Sequence, residues 1–218
     1  MAKKFFSLIF VPHQKGKHKT ITLTEKKAKI LEASIRVFAK KGLHNTKISD
    51  ISTAADIGKG TIYEYFRSKD EIIAASFLFF LEKIDSVISH RLYRISDPLE
   101  KLLAYFSAWT EIVEGDYLNY VQIIVDFWAE SVRNKREPSA FDLAKIYDEN
   151  RKIIEALLKD CITKDKISPV DTKIVASTLM ASLDGLLIQW ILDRSAFNIK
   201  EAIELSTKII IDGLKKGD

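Results

Sequence analysis

An all-α chain is predicted, and three observations predict it. Glycine and proline together make only 12 of 218 residues while hydrophobic residues make 47%. That balance favours a helical globular protein over a sheet-rich or disordered one. Apolar residues recur at three and four positions, the helical period, as in Ile48, Ile51, Ala54 and Ala55. Helix start and stop signals punctuate the rest: Gly42, Ser68, Pro98, Gly115, Pro138, Ser168-Pro169 and Asn198. They divide the chain into an extension (1–23), a compact three-helix domain (24–68) and a six-helix domain (69–218). There is no internal repeat or low-complexity segment.

The extension holds Phe5 to Val11 behind Lys3-Lys4, a superficial likeness to a signal peptide. The apolar run is short, and Pro12 to Lys17 offers no small-residue cleavage site. A native extension and a start codon assigned upstream of the true one both remain open. Thr22 or Thr24 caps the first helix, whose apolar face is Ile30, Leu31, Ala33, Ser34, Val37 and Phe38. Lys40-Lys41-Gly42 gives a cationic last turn and a glycine stop. A second short helix carries Ile48 to Ala55, Asp56-Ile57-Gly58 interrupts it, and a third runs from Lys59 to Phe66. Two short helices joined by such a turn form a helix-turn-helix.

The start of the third helix offers free backbone N–H groups, a hydroxyl (Thr61), a cation (Lys59) and the phenols of Tyr63 and Tyr65. Those groups suit phosphate oxygens and base edges in a DNA major groove. Lys59, Thr61 and Tyr63 are assigned to base edges and adjacent phosphates. Thr46, Tyr65 and Lys69 are assigned to phosphate anchoring, with Gly60 contributing its N–H, and Lys47 is counted among the DNA-binding residues. Ser68-Lys69-Asp70-Glu71 then reads as a capping box that starts a long fourth helix.

Gly60-Thr61-Ile62-Tyr63-Glu64-Tyr65-Phe66-Arg67-Ser68-Lys69-Asp70-Glu71 resembles the signature of the TetR family of transcriptional regulators. Ile51 to Ala55 and Thr46 match the helix that precedes it, and the likeness covers about residues 25–75. Two positions depart from the family pattern, Asp56 for the usual Gly and Gly58 for the usual Ser or Thr. Asp tolerates a left-handed turn and Gly is a fair cap, so the fold survives both.

Charge is unevenly placed. Residues 1–70 hold 15 lysines and arginines against 6 acids, and residues 71–218 hold 19 against 24. A basic third on an acidic body points to a polyanion at one end, the other reading being a solvated basic face. Lys15, Lys17 and Lys19 of the extension are placed to touch DNA backbone. The single cysteine, Cys161, fits a reducing compartment and a buried structural thiol. No metal and no cofactor is expected, since the four histidines show no ligand spacing. No run of about 18 apolar residues suggests a membrane span. A cytoplasmic protein is expected.

The later helices are predicted from Lys69 to about Ile95, Leu99 to Val113, Tyr117 to about Arg136, Ala140 to about Thr163, Ser168 to about Asp193 and Asn198 to about Leu214. The last two are apolar over more than one stripe and need neighbours on two sides. The resemblance implies a homodimer there, with Leu179, Leu183, Leu186, Leu187, Ile203 and Ile210 at its interface; a monomer core is the alternative. The middle helices are dense in rings. For each ring core packing is the simpler reading, but together they suit an apolar pocket with a few polar anchors. Phe106, Trp109, Phe127, Tyr147 and Trp190 are the expected walls of an effector site, and Asp126, Glu130 and Asn150 its anchors. Inward-facing acids would favour a cationic effector; acids facing solvent would favour a neutral apolar one.

These readings give a homodimeric regulator, expected to be a repressor, that is released from a double-stranded DNA operator by a small-molecule effector. A DNA-binding adaptor answering to a protein partner is the alternative. An enzyme has no support: the chain carries no glycine-rich phosphate loop and no nucleophile elbow.

Overall fold

The computed structural model describes residues 25–114, 118–133 and 142–215, and nine helices span them. They are α1 (Glu25–Lys41), α2 (Ile48–Ala55), α3 (Lys59–Tyr65), α4 (Lys69–Leu92), α5 (Pro98–Glu114), α6 (Leu118–Arg133), α7 (Leu143–Thr163), α8 (Thr172–Leu192) and α9 (Ile199–Asp212). The extension, with Lys15, Lys17 and Lys19, lies outside the described residues, as do Thr22 and Thr24.

By contact the chain separates into two compact units. One holds α1–α3, α4 as far as Ile84, and α6; the other holds α4 from Asp85, then α5, α7, α8 and α9. This partition places α6 and the first part of α4 with the short helices, whereas the boundary expected from sequence fell at residue 68.

In the first unit α1 supplies the central surface, packing against both α2 and α6. Its buried residues are Ile30, Leu31, Ala33, Ser34, Ile35 and Phe38. Ser34 is tolerated there because its hydroxyl donates to the Ile30 carbonyl at 2.7 Å, so no buried polar group is left unpaired. Ile35, not Val37, completes the face. Gly42 ends α1 with φ +78°, its N–H reaching the Phe38 carbonyl at 2.7 Å. This is the left-handed helix stop that a glycine makes without steric cost. Ile51, Ala55, Ile62, Phe66 and Ile72 close the core from α2, α3 and the start of α4.

In the second unit α5 packs on α7 and α9, and α8 packs on α7 and α9. The side chain of Asp97 caps α5, accepting from the Leu99 and Glu100 N–H groups at 2.9 and 3.1 Å, with Pro98 at the first helical position. Asp171 caps α8 in the same way through Lys173 and Ile174. It starts α8 three residues past the predicted Ser168-Pro169, a side-chain cap that periodicity does not show. Asn198 caps α9 as expected. Cys161 is wholly buried, and burial pushes its thiol up to about 11. No thiolate forms there at neutral pH.

Helix α8 is 21 residues long, with a mean hydropathy of 1.5 over its best window; by length and composition alone it is long enough and apolar enough to cross a membrane. Its apolar residues do not form one uninterrupted run, since Lys173, Asp184 and several small polar residues break it. Ala176, Leu179, Leu183 and Leu187 of this helix are buried inside its own unit.

Candidate nucleic-acid interface and effector region

Helix α2 ends at Asp56, which takes the left-handed conformation, φ 49° and ψ 51°, where the family pattern has glycine. Its N–H returns to the Ser52 and Thr53 carbonyls and closes the turn. Gly58 then caps α3 without a side-chain bond, and the Ile62 N–H takes the Gly58 carbonyl at 3.3 Å. Ile62 is the single buried residue of α3. Lys59, Gly60 and Tyr63 are exposed, and Thr61 and Tyr65 half-buried. Tyr63 is 48% exposed, with the Lys59 ammonium 6.0 Å from the centre of its ring. The helix thus presents a cation, a hydroxyl, a phenol and unbonded N-terminal amides on one open end.

Two residues assigned to phosphate are otherwise engaged. Thr46 is 2% exposed, and its hydroxyl donates to the Gly42 carbonyl at 2.8 Å. A threonine just past a helix end satisfies an orphan carbonyl more cheaply than it reaches solvent. The Lys69 ammonium donates to the Leu43 and His44 carbonyls at 3.1 and 3.0 Å. Lys47 is exposed at the start of α2, where its N–H donates to Asp50 at 2.9 Å. Asp50 is also paired with Lys41 at 2.8 Å, and these bonds hold its carboxyl below the usual range. At the start of α4 the Ser68 hydroxyl accepts from the Glu71 N–H, while Glu71 reaches back to the N–H of Arg67 instead of that of Ser68.

The expected effector residues divide between the units. Asp126 and Phe127 belong to the first, where each has a structural partner. Asp126 accepts from the Leu43 N–H at 3.4 Å, and the Phe127 ring lies 4.4 Å from that of Phe77. The Glu130 side chain lies outside the described residues. Phe106, Trp109, Tyr147, Asn150 and Trp190 belong to the second unit. Phe106 is 1% exposed and meets Tyr105 edge-on. The Tyr105 hydroxyl donates to Asn150 at 2.7 Å, joining α5 to α7. Burial drives the Tyr105 phenol well above its usual range, and the charge of Asp85 adds to that. The Tyr147 hydroxyl donates to Asp184 at 2.8 Å, joining α7 to α8. The Trp109 indole N–H is buried with no hydrogen-bond partner among the described residues, and Trp190 has the Arg194 guanidinium 5.1 Å over its ring.

Asp184, one of the polar residues interspersed among the rings in the sequence, lies outside the expected anchor set of Asp126, Glu130 and Asn150. Burial pushes its carboxyl from 3.8 up to about 6, with the Tyr147 hydrogen bond pulling the other way. The signal was present in sequence, as one acid in an otherwise apolar stretch of α8.

Of the six expected interface residues, Leu179, Leu183, Leu187 and Ile203 are 1%, 7%, 4% and 1% exposed, so they are core of the second unit itself. Leu186 and Ile210 are half-buried. The apolar side chains that α8 and α9 leave open are Ile174, Leu192, Leu205 and Ile209. A helix apolar almost all round gives no periodicity to separate its inner face from its outer one.

Two family models match. "Bacterial regulatory proteins, tetR family" covers residues 30–76, and "BetI-type transcriptional repressor, C-terminal" covers residues 102–214. The regulator BetI of Serratia proteamaculans is 25% identical, over 85% of this chain and 90% of its own. The fatty acid metabolism regulator protein of Bacillus subtilis is 20% identical, over 85% and 93%. A transcriptional regulator from Saccharomonospora viridis solved with choline superposes with a TM-score of 0.77 at 22% identity, covering 87% of this chain and 97% of its own. FadR of Bacillus subtilis solved with stearoyl-CoA superposes with 0.72 at 19%, covering 86% and 98%. The matches run through the exposed third helix and the helices that follow it, and the chain belongs to the TetR family: it is a DNA-binding transcriptional repressor that answers to a small molecule.

Proposed function

We propose that the chain acts in the cytoplasm, without enzymatic activity, as a homodimer that reads a two-fold operator with α3. The observation that carries this is the open, cationic start of α3. Lys59, Thr61 and Tyr63 take base edges and adjacent phosphates, the Gly60 N–H a phosphate, and Lys47 and Tyr65 flank them. Thr46 and Lys69 are left out of the direct contacts, the Thr46 hydroxyl donating to Gly42 and two of the three Lys69 donors being taken by Leu43 and His44.

The second copy covers α8 and α9. Ile174, Thr178, Ala181, Gly185, Ile188 and Leu192 fall on one stripe of α8 at spacings of three and four. Ile174 and Leu192 are 64% and 81% exposed, and a Cβ built on Gly185 meets open space. Small residues at mid-stripe let a second helix approach closely. Leu205 and Ile209, 58% and 62% exposed, extend the surface onto α9. An exposed apolar face of this kind marks an association surface.

The effector site is assigned to the second unit around Trp109, Tyr105, Tyr147, Asn150, Asp184 and Trp190, with Phe106 behind. Above pH 6 Asp184 is ionised, with a phenol as its hydrogen-bond partner. A half-buried carboxylate among rings favours a cation, held by charge and by the ring faces. The choline bound by the Saccharomonospora relative is a ligand of that class. Isothermal titration with choline and with stearoyl-CoA, repeated on Asp184→Asn, tests the class. Choline binding that Asp184→Asn abolishes supports the cation; binding of stearoyl-CoA alone, untouched by the substitution, overturns it.

A further inference from the structure

The loop between α1 and α2 is short, yet four helices hold it. Gly42 leaves α1 in the left-handed conformation, a backbone that a side chain at that position would strain. The Thr46 hydroxyl takes the Gly42 carbonyl from the α2 side at 2.8 Å. The Lys69 ammonium, from the first turn of α4, takes the next two carbonyls, those of Leu43 and His44, at 3.1 and 3.0 Å. The Asp126 carboxylate, from α6, takes the Leu43 N–H at 3.4 Å. Leu43 itself is 3% exposed. A cation on the Leu43 and His44 carbonyls and an anion on the Leu43 N–H hold consecutive peptide groups of the loop, each through a charge-assisted bond.

We propose that Lys69 and Asp126 are positioning residues for operator recognition: they fix the 42–44 loop, and through it the angle at which α2 and α3 leave α1. Lys69 acts on DNA through this loop, not by touching phosphate, and Asp126 acts with it on the same residue, Leu43. The inference rests on α3 reading DNA and is independent of the effector class. A wild-type chain that binds no duplex would defeat the DNA reading itself, a result distinct from those below.

The test uses full-length Lys69→Met, Lys69→Arg, Asp126→Ala and the Lys69→Met/Asp126→Ala pair, on an operator selected by the wild type from random duplexes. Dissociation constants are read over a salt series, and amide exchange is followed at Leu43. Lys69→Met weakens operator binding about tenfold, the scale of one lost charged hydrogen bond, and Lys69→Arg restores most of it. The salt slope stays at the wild-type value. Leu43 exchange rises in both single variants, and the double variant weakens binding by clearly less than the product of the single effects. A slope reduced by about 0.9 in Lys69→Met, the signature of one lost phosphate contact, with Leu43 exchange unchanged, overturns the proposal. So do multiplicative effects in the double variant, or an Asp126→Ala chain that binds like the wild type. The arginine variant keeps the test decisive if the methionine variant is poorly folded, because loss of binding in a folded Lys69→Arg would also count against it.

Discussion

Helix α3 has seven residues and buries one of them, Ile62, whereas α8 has 21 and buries four. The short helix could not persist alone, since isolated helices below about 12–15 residues are marginal in water. It is held by its neighbours, and its outer face is left to polar chemistry: Lys59, Thr61 and Tyr63. The long helix is apolar on both sides, so its outer face carries Ile174 and Leu192 instead. On the function proposed above, one helix meets hydrated, charged DNA and the other is covered by a second copy. The difference teaches that exposure alone does not name a partner; the chemistry of the exposed atoms does.

The largest effect is expected where the inner face of α8 is broken. Leu187→Asp puts an unpaired charge at a 4% exposed site, at a cost of several kcal/mol. It should abolish the cooperative melt seen by circular dichroism. A folded, monomeric Leu187→Asp would instead place this leucine on the association face. Next comes the outer face of the same bundle. Ile209→Asp, at a 62% exposed site, should leave each subunit folded and convert the dimer to monomer in sedimentation velocity. A dimer unchanged by Ile209→Asp and by Leu192→Asp would remove α8 and α9 from the interface.

A smaller, pH-dependent effect separates the two regions in another way. Asp184 holds its proton more tightly folded than unfolded, because burial raises its carboxyl from 3.8 to about 6. Its contribution is therefore complete below about pH 4 and is lost as pH rises through 6. The exposed, paired carboxyls such as Asp50 and Asp97 are shifted the other way, so their contribution is lost on acidification. Asp184→Asn should flatten the fall in stability between pH 4 and 6 relative to the wild type, measured by urea titration. Parallel profiles in the two proteins would show that Asp184 is solvated in both states.

How far the sequence was legible follows from the same contrast. The helix-turn-helix could be read residue by residue, down to the left-handed Asp56 and the glycine stop at Gly42, because caps and turns are local and each demands particular residue types. The start of α5 at Pro98 and the Asn198 cap of α9 were local too, whereas the Asp97 cap of α5 was not read. What the sequence did not show were the choices made in three dimensions. Thr46 and Lys69 carry the groups a phosphate contact needs, and only the position of the 42–44 carbonyls turns them inward. Leu183 and Leu187 have the same composition as an interface and differ from Ile174 only in which side of α8 they occupy. Asp184 has the Tyr147 phenol as its partner, whereas Asp126 is bonded to the Leu43 amide. Side-chain partners distant in sequence decide such cases, and periodicity carries no record of them.

The central claim is that α3 reads a two-fold operator, and selection of duplexes from a random library by the wild type and by Tyr63→Ala tests it most directly. The wild type should enrich an inverted repeat whose half-sites lie about 10–10.5 base pairs, or a multiple, apart. Tyr63→Ala, altered at a 48% exposed side chain and therefore as stable, should lose preference within the half-site while keeping salt-dependent binding to any duplex. Enrichment of the same half-site by Tyr63→Ala and by Lys59→Ala, or of no repeat by the wild type, would contradict it.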